Sequence, residues 1–381
     1  MKKISIILAA ILLSVGASAQ ELKEGYIENA PQHEAYTPSF KYDGSTRKVR
    51  NVILLIGDGT GLAQISAGLY SNGGSLTVTN LRNIGLVKTQ AADAYTTDSA
   101  ASGTAYSTGH KTHNYAVGVD VDDKALDNIP EICQRYGIIS GIISTDNLNG
   151  ATPACFFAHQ PNRGMTDEIW ADLPASSLTF FAAGSEEQME GRPQETQDAI
   201  NKVFTVVSEL PEDASGIERL GYLPPKKETQ SFKYGRGDFL PATTKYAIDF
   251  LSARTNRRKG FFMMVEGARI DKSCHANEYE PAVREMLDFD QAIEQAIRFA
   301  EADGHTLVLI SADHETGGLS LAADGDPAKG NTHGRFATGG HTPIPVPIFA
   351  YGPGAQYFRG IQENSEVAQK ILWLLTGSTH Q

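Results

Sequence analysis

Apolar residues in this chain come in short unbroken blocks rather than in alternation with polar ones. The first block follows Asn51 and runs Val52-Ile53-Leu54-Leu55-Ile56, and similar blocks recur at 138–144, 261–265, 306–311 and 346–351. A strand that is apolar on both faces is one covered on both faces, as in a parallel sheet layered between helices. Between the blocks the period changes. Over 281–302, Val283, Met286, Leu287, Ile293, Ile297 and Ala300 fall on one stripe of an α-helix. A closing helix is predicted around 366–375. Strands alternating with helices predict an α/β fold, with a mostly parallel central sheet flanked by helices on both faces.

Three stretches fall outside that rhythm. Residues 164–237 are rich in Glu, Pro, Gly and Ser, with one apolar run at 178–183 and a helix-like segment near 199–210. They read as a short, crown-like insertion decorating the sheet, not as an independent domain. Residues 20–48 are polar, with Pro31, Pro38 and Gly44, and read as an extended lead-in. At the start, Lys2 and Lys3 precede an apolar run over 4–15 and the small residues Ala17-Ser18-Ala19. That is the pattern of a signal peptide over 1–19. The run is shorter than the ~20 apolar residues a membrane span needs, and no later stretch is long and apolar enough. The expectation is therefore an exported protein, periplasmic or secreted, with a single domain over 49–381.

Charge narrows the partners. Against 33 Lys and Arg stand 45 Asp and Glu, a net charge of −12. This argues against nucleic acid or an anionic membrane surface as a partner, and an anionic substrate would need local cations. The three cysteines, Cys133, Cys155 and Cys274, are an odd number without zinc-finger spacing. Cys274, beside His275, reads either as a soft metal ligand or as a small buried residue.

Candidate chemistry gathers where the apolar blocks end. Asp58 sits in Gly57-Asp58-Gly59-Thr60-Gly61, directly after the first block, where ligands of open α/β sheets bind. A carboxylate between the glycines would repel a dinucleotide's pyrophosphate unless a metal stood between them. Alone, Asp58 reads as a ligand or a turn aspartate. Asp313 and His314 follow the 306–311 block in the same way, and oxygen with imidazole suits zinc. Glu266 ends the 261–265 block, while Asp271 and His275 are four apart and would share a helix face. His341 lies in a loop ahead of the last block; His113 and His159 lie in no comparable context. Ser99, within Thr97-Asp98-Ser99-Ala100-Ala101-Ser102-Gly103-Thr104-Ala105, is predicted near a helix N-terminus with Asp98, either as a nucleophile favoured by the helix dipole or as a cap. Arg163 offers a planar guanidinium that can hold two phosphate oxygens.

Together, in order and over nearly the whole mature chain, these motifs resemble the alkaline phosphatase family. The most specific are Asp98-Ser99-Ala100-Ala101 with Thr104-Ala105 and Ser107-Thr108-Gly109, then Val265-Glu266-Gly267-Ala268 with Ile270-Asp271-Lys272, then Ala312-Asp313-His314. The resemblance implies hydrolysis of small phosphomonoesters through a phosphoserine at Ser99, two Zn2+ and one Mg2+. It places Asp271, His275 and His341 on the first zinc and Asp58, Asp313 and His314 on the second. Asp58, Thr152 and Glu266 fall on the magnesium. Arg163 clamps phosphate, Asp98 orients Arg163, and Lys272 lies near the phosphate. A homodimer is the implied assembly. Gly150 departs from the pattern, since it falls where family members often carry an acid or histidine beside the magnesium. Rival readings are a phosphodiesterase of the same superfamily, disfavoured by Arg163 with Thr152 and Glu266, and a non-catalytic metal- or phosphate-binding protein, disfavoured by Ser99.

Overall fold

The computed structural model describes residues 22–255 and 259–378. The predicted signal peptide lies outside the described residues. Among the described residues, ten strands form the main sheet: β1 (Asn51–Gly57), β2 (Asn83–Lys88), β3 (Ile139–Ser144), β4 (Leu178–Ala182), β5 (Thr205–Val207), β6 (Leu220–Tyr222), β7 (Phe261–Gly267), β8 (Thr306–Ser311), β9 (Val346–Tyr351) and β10 (Gly360–Glu363). Their spatial order is β10-β2-β9-β8-β1-β7-β3-β4-β6-β5. Every pairing is parallel except the two made by β9, which runs against both β2 and β8. The α/β fold with a mostly parallel sheet is thus the one expected from the apolar blocks.

The unbroken apolar character of the central strands has a direct cause. Val52, Leu54 and Ile56 face one core with Phe262, Met264, Leu307 and Leu309, while Ile53 and Leu55 face another with Met263, Val265, Val308 and Ile310. Both cores are closed by helices. The second core takes α1 (Leu62–Ser71) through Ile65, and the first takes α2 (Ser99–Thr108) through Ala100 and Tyr106. On the second side lie α3 (Phe239–Arg254), α4 (Arg269–His275) and α5 (Tyr279–Asp303), with Ile248, Ile270, Val283 and Ile297 among their buried residues. On the first lies α6 (Asn364–Thr376), through Val367 and Ile371. The predicted stripe of α5 is buried throughout.

Differences from expectation have local reasons. The 164–237 stretch supplies β4, β5 and β6, and so continues the sheet to its edge. Within it, the helix-like pattern resolves into a helix Gln194–Val203 followed by β5, where the β-branched Thr205-Val206-Val207 favours extended backbone. The lead-in includes a strand, Lys23–Ile27, paired antiparallel with Asn331–Phe336 across some three hundred residues. After Gly150 comes a single helical turn, Ala151–Ala154. Among the described residues no helix is long and apolar enough to cross a membrane.

Candidate metal centre and nucleophile

Five adjacent strands, in the order β9-β8-β1-β7-β3, meet at one end of the sheet. Parallel register brings their ends level: Ile56 lies beside both Glu266 and Ser311, and Ser144 beside Glu266. Asp58 follows β1, Glu266 is the penultimate residue of β7, and Asp313 and His314 follow β8. Because β9 is reversed, it is the segment before it that reaches this end, where His341–Thr342 pairs antiparallel with Glu315–Thr316.

Two groups of ligand atoms converge here, Asp58 with Asp313 and His314, and Asp271 with His314 and His341. His314 Nε2 lies 3.5 Å from Asp58 Oδ1 and 3.2 Å from Asp313 Oδ2. His275 Nε2 lies 3.3 Å from Asp271 Oδ2 and 3.0 Å from His341 Nε2, and His341 Nε2 lies 3.7 Å from Asp271 Oδ1. The rings of His314 and His341 stack with centroids 3.5 Å apart. The Asp271, His275, His341 trio is therefore contiguous with the Asp58, Asp313, His314 trio. Cys274, by contrast, is buried beside Gln64, and burial raises its thiol pKa far above normal. It reads as the small buried residue. His113 and His159 pair with Asp123 and Glu131.

Burial sets the electrostatics. It holds Asp58 well above the usual carboxylate range, with Asp313, Asp271 and Glu266 adding to the effect. It pushes Glu266 up to about 8 against the Ser144 hydroxyl donating to it. Asp313 goes the other way: His314 and the Gly59 N–H overcome its burial and bring it down to about 2. Three buried oxygens, Asp58 Oδ1, Asp313 Oδ2 and Thr152 Oγ1, have no hydrogen bond. Such oxygens, set among carboxylates and imidazoles, are the environment a divalent cation satisfies.

Ser99 is the first residue of α2, and its Oγ lies 3.3 Å from His314 Nε2. Asp98 caps the helix, accepting from the Ala101 N–H at 2.9 Å through Oδ1, while its Oδ2 accepts from Arg163 Nη1 at 3.0 Å. One carboxylate therefore fixes both the helix start and the guanidinium. Apart from Tyr106 the helix is built of small residues, and all are buried, because it is wedged against α6 and the Ala151–Ala154 turn; an added Cβ on Gly103 would meet Cys155 Sγ at 3.1 Å.

Some supporting residues escaped the sequence reading. Thr316 Oγ1 donates to Asp271 Oδ1 at 2.5 Å and lies 3.2 Å from His314 Nδ1, thereby joining the two trios. Its signal was present, two residues past His314 at a strand end. Asn114 Oδ1 accepts the Asp98 N–H at 2.7 Å, a tertiary contact with no local signature. Asp146 receives the Lys272 ammonium.

Gly59 is required at its position. Its φ is +71°, and a Cβ would come within 2.9 Å of the Asp271 Cα, while its N–H donates to Asp313 Oδ1 at 3.1 Å. Gly59→Ala should displace ligand-bearing backbone and weaken metal retention by about tenfold or more, as loss of a ligand's support commonly does. Equilibrium dialysis against zinc checks this, and unchanged retention would refute it.

Residues 49–192 and 239–335 match the sequence model of the family described as Alkaline phosphatase. The chain belongs to the alkaline phosphatase family. Its membership is supported along its length: alkaline phosphatase 4 of Bacillus subtilis (strain 168) is 28% identical over 98% of this chain and 99% of its own. Alkaline phosphatase H of Pseudomonas aeruginosa (strain UCBPP-PA14) is 30% identical over 87% and 86%. Among solved structures, the alkaline phosphatase of the Antarctic bacterium TAB5 shares 40% identity, with a TM-score of 0.79, over 88% of this chain and 99% of that one. A variant of that enzyme is described with Mg bound in its M3 site. This alkaline phosphatase family member is accordingly an enzyme of the phosphatase class.

Proposed function

We propose that this phosphatase acts on phosphate monoesters through a phosphoserine at Ser99, served by two Zn2+ and one Mg2+. The observation that carries the reading is the Ser99 hydroxyl at a helix N-terminus, 3.3 Å from His314 Nε2, where the two carboxylate–imidazole trios meet. Asp271, His275 and His341 would hold one zinc, and Asp58, Asp313 and His314 the other. Asp58, Thr152 and Glu266 would hold magnesium, supported by the Mg bound in the TAB5 variant and by the orphaned Asp58 and Thr152 oxygens. Bound divalent cations supply acidification of an attacking oxygen and stabilisation of a departing one.

The chain's own groups do the rest. Ser99 Oγ gives up its proton and forms a bond to phosphorus as the ester P–O bond breaks, and the alcohol leaves with its oxygen and a proton. A water oxygen then attacks phosphorus and frees Oγ. Arg163, held by Asp98 and partly open to solvent, binds non-reacting oxygens, and the α2 N-terminus adds favourable dipoles. A monoester presents one more free oxygen and more negative charge to that clamp than a diester. The N-terminal signal pattern supports export to the periplasm or beyond, and the family resemblance supports a homodimer.

Hydrolysis of p-nitrophenyl phosphate should exceed that of bis-p-nitrophenyl phosphate by on the order of a hundredfold, and a chelator should abolish both. Preference for the diester would overturn the monoesterase reading, and chelator-insensitive turnover would overturn the metal assignment.

A further inference from the structure

A part-buried aspartate stands beside the site. Asp146 follows β3 at the same end of the sheet as the ligands, and its side chain is only 18% exposed. Its carboxylate receives the Lys272 ammonium from α4. Burial would raise its pKa, but Lys272 and Arg269 pull it below normal, so it is held ionised. Its N–H donates at 2.9 Å to Ser144 Oγ, the hydroxyl that donates in turn to Glu266. Asp146 thus borders the Glu266 side of the centre through both its backbone and its charge.

What admits this carboxylate is the bare Cα of Gly150. A Cβ there would meet Asp146 Oδ2 at 3.2 Å and the Asn147 carbonyl oxygen at 2.9 Å. A side chain at 150 would therefore press on the Asn147 backbone and crowd the Asp146 carboxylate. Gly150 lacks a side chain and Asp146 takes the space, folding back from four residues earlier.

We infer that Asp146 is a positioning residue of the phosphate site, filling the space left by Gly150 and holding the Lys272 ammonium at the edge of the centre. The inference rests on the phosphomonoesterase reading above, because it is phosphate that Lys272 would meet. Lysine is a long, flexible, strongly hydrated cation. Untethered, Lys272, already 44% exposed, relaxes toward solvent and must lose rotamer freedom again on each binding event. Tethered, it presents its charge at a fixed place.

Inorganic phosphate serves as the probe, as a competitive inhibitor of p-nitrophenyl phosphate hydrolysis by the metal-loaded enzyme. Asp146→Ala and Lys272→Ala should each weaken phosphate inhibition by about fivefold or more, and the double variant should be no worse than either single one, because Asp146 acts through Lys272. KM should rise more than kcat falls, with zinc and magnesium content unchanged. Asp146→Glu should recover most of the phosphate affinity that Asp146→Ala loses, because it keeps a carboxylate within reach of the Lys272 ammonium. A purely structural aspartate would not show this rescue by charge. Unchanged or tighter phosphate binding in Asp146→Ala, additive single effects, or absence of rescue would each overturn the inference. Failure of the underlying reading would look different, since the wild-type enzyme itself would then not bind phosphate competitively.

Discussion

Ser99→Ala should lower the turnover of a phosphate monoester by about three orders of magnitude or more while leaving metal content intact. The substitution removes one oxygen and little else. Alanine is a strong helix former, Asp98 still caps α2 through the Ala101 N–H, and Arg163 keeps its tether. No ligand in either trio relies on Ser99 for its orientation, because His314 is held by Asp313 and Thr316. The residual rate would come from water attacking a phosphate that is still bound and oriented. Steady-state kinetics with elemental analysis of the purified variant checks the prediction. Turnover within tenfold of wild type would remove Ser99 from the reaction.

The second large effect concerns stability and its pH dependence. In the metal-free protein, burial raises the pKa of Asp58 and takes Glu266 up to about 8, whereas in an unfolded chain such groups titrate near pH 4. Between those limits the folded state holds protons that the unfolded chain has released, so stability falls as pH rises. The Glu266 contribution is complete below about pH 4 and gone above about 8, and Asp58 acts in the same direction. Asp313, lowered to about 2, contributes in the opposite sense, but its loss falls in acid, below that window. The melting temperature of chelator-treated protein should therefore drop by on the order of 10 °C between pH 5 and 8.5. Zinc and magnesium should erase the drop, because cations replace protons on the same oxygens and bind more tightly as those protons leave. Scanning calorimetry across that range, with and without metal, decides the matter. A flat metal-free profile would mean that the acids are not confined together as described.

The central layer was legible because its physics is local. Residues 51–56 and 306–311 are covered on both faces, and no alternation interrupts them. The site was legible for a related reason: a strand end is marked by a change from apolar to polar, and Asp58, Glu266 and Asp313 stand at such changes. β2 was not visible. Its burial alternates and Ile84 is exposed, so only its partners β9 and β10 define it. The strand Lys23–Ile27 was hidden for the same reason, since its pairing lies near the other end of the chain. Asp146 escaped because, although Gly150 stood out in the sequence, nothing local shows that the carboxylate four residues earlier folds back beside it.

The reversed direction of β9 also bears on the order in which the molecule can assemble. β2 reaches the rest of the sheet only through β9, and β10 only through β2. A segment synthesised early must therefore wait, without a strand neighbour, until 346–351 has emerged. His341 arrives with that same late segment. Such pairing of distant segments makes for slow folding, and it means that a nascent or truncated chain carries Asp58, Asp271 and Asp313 without His341 beside them.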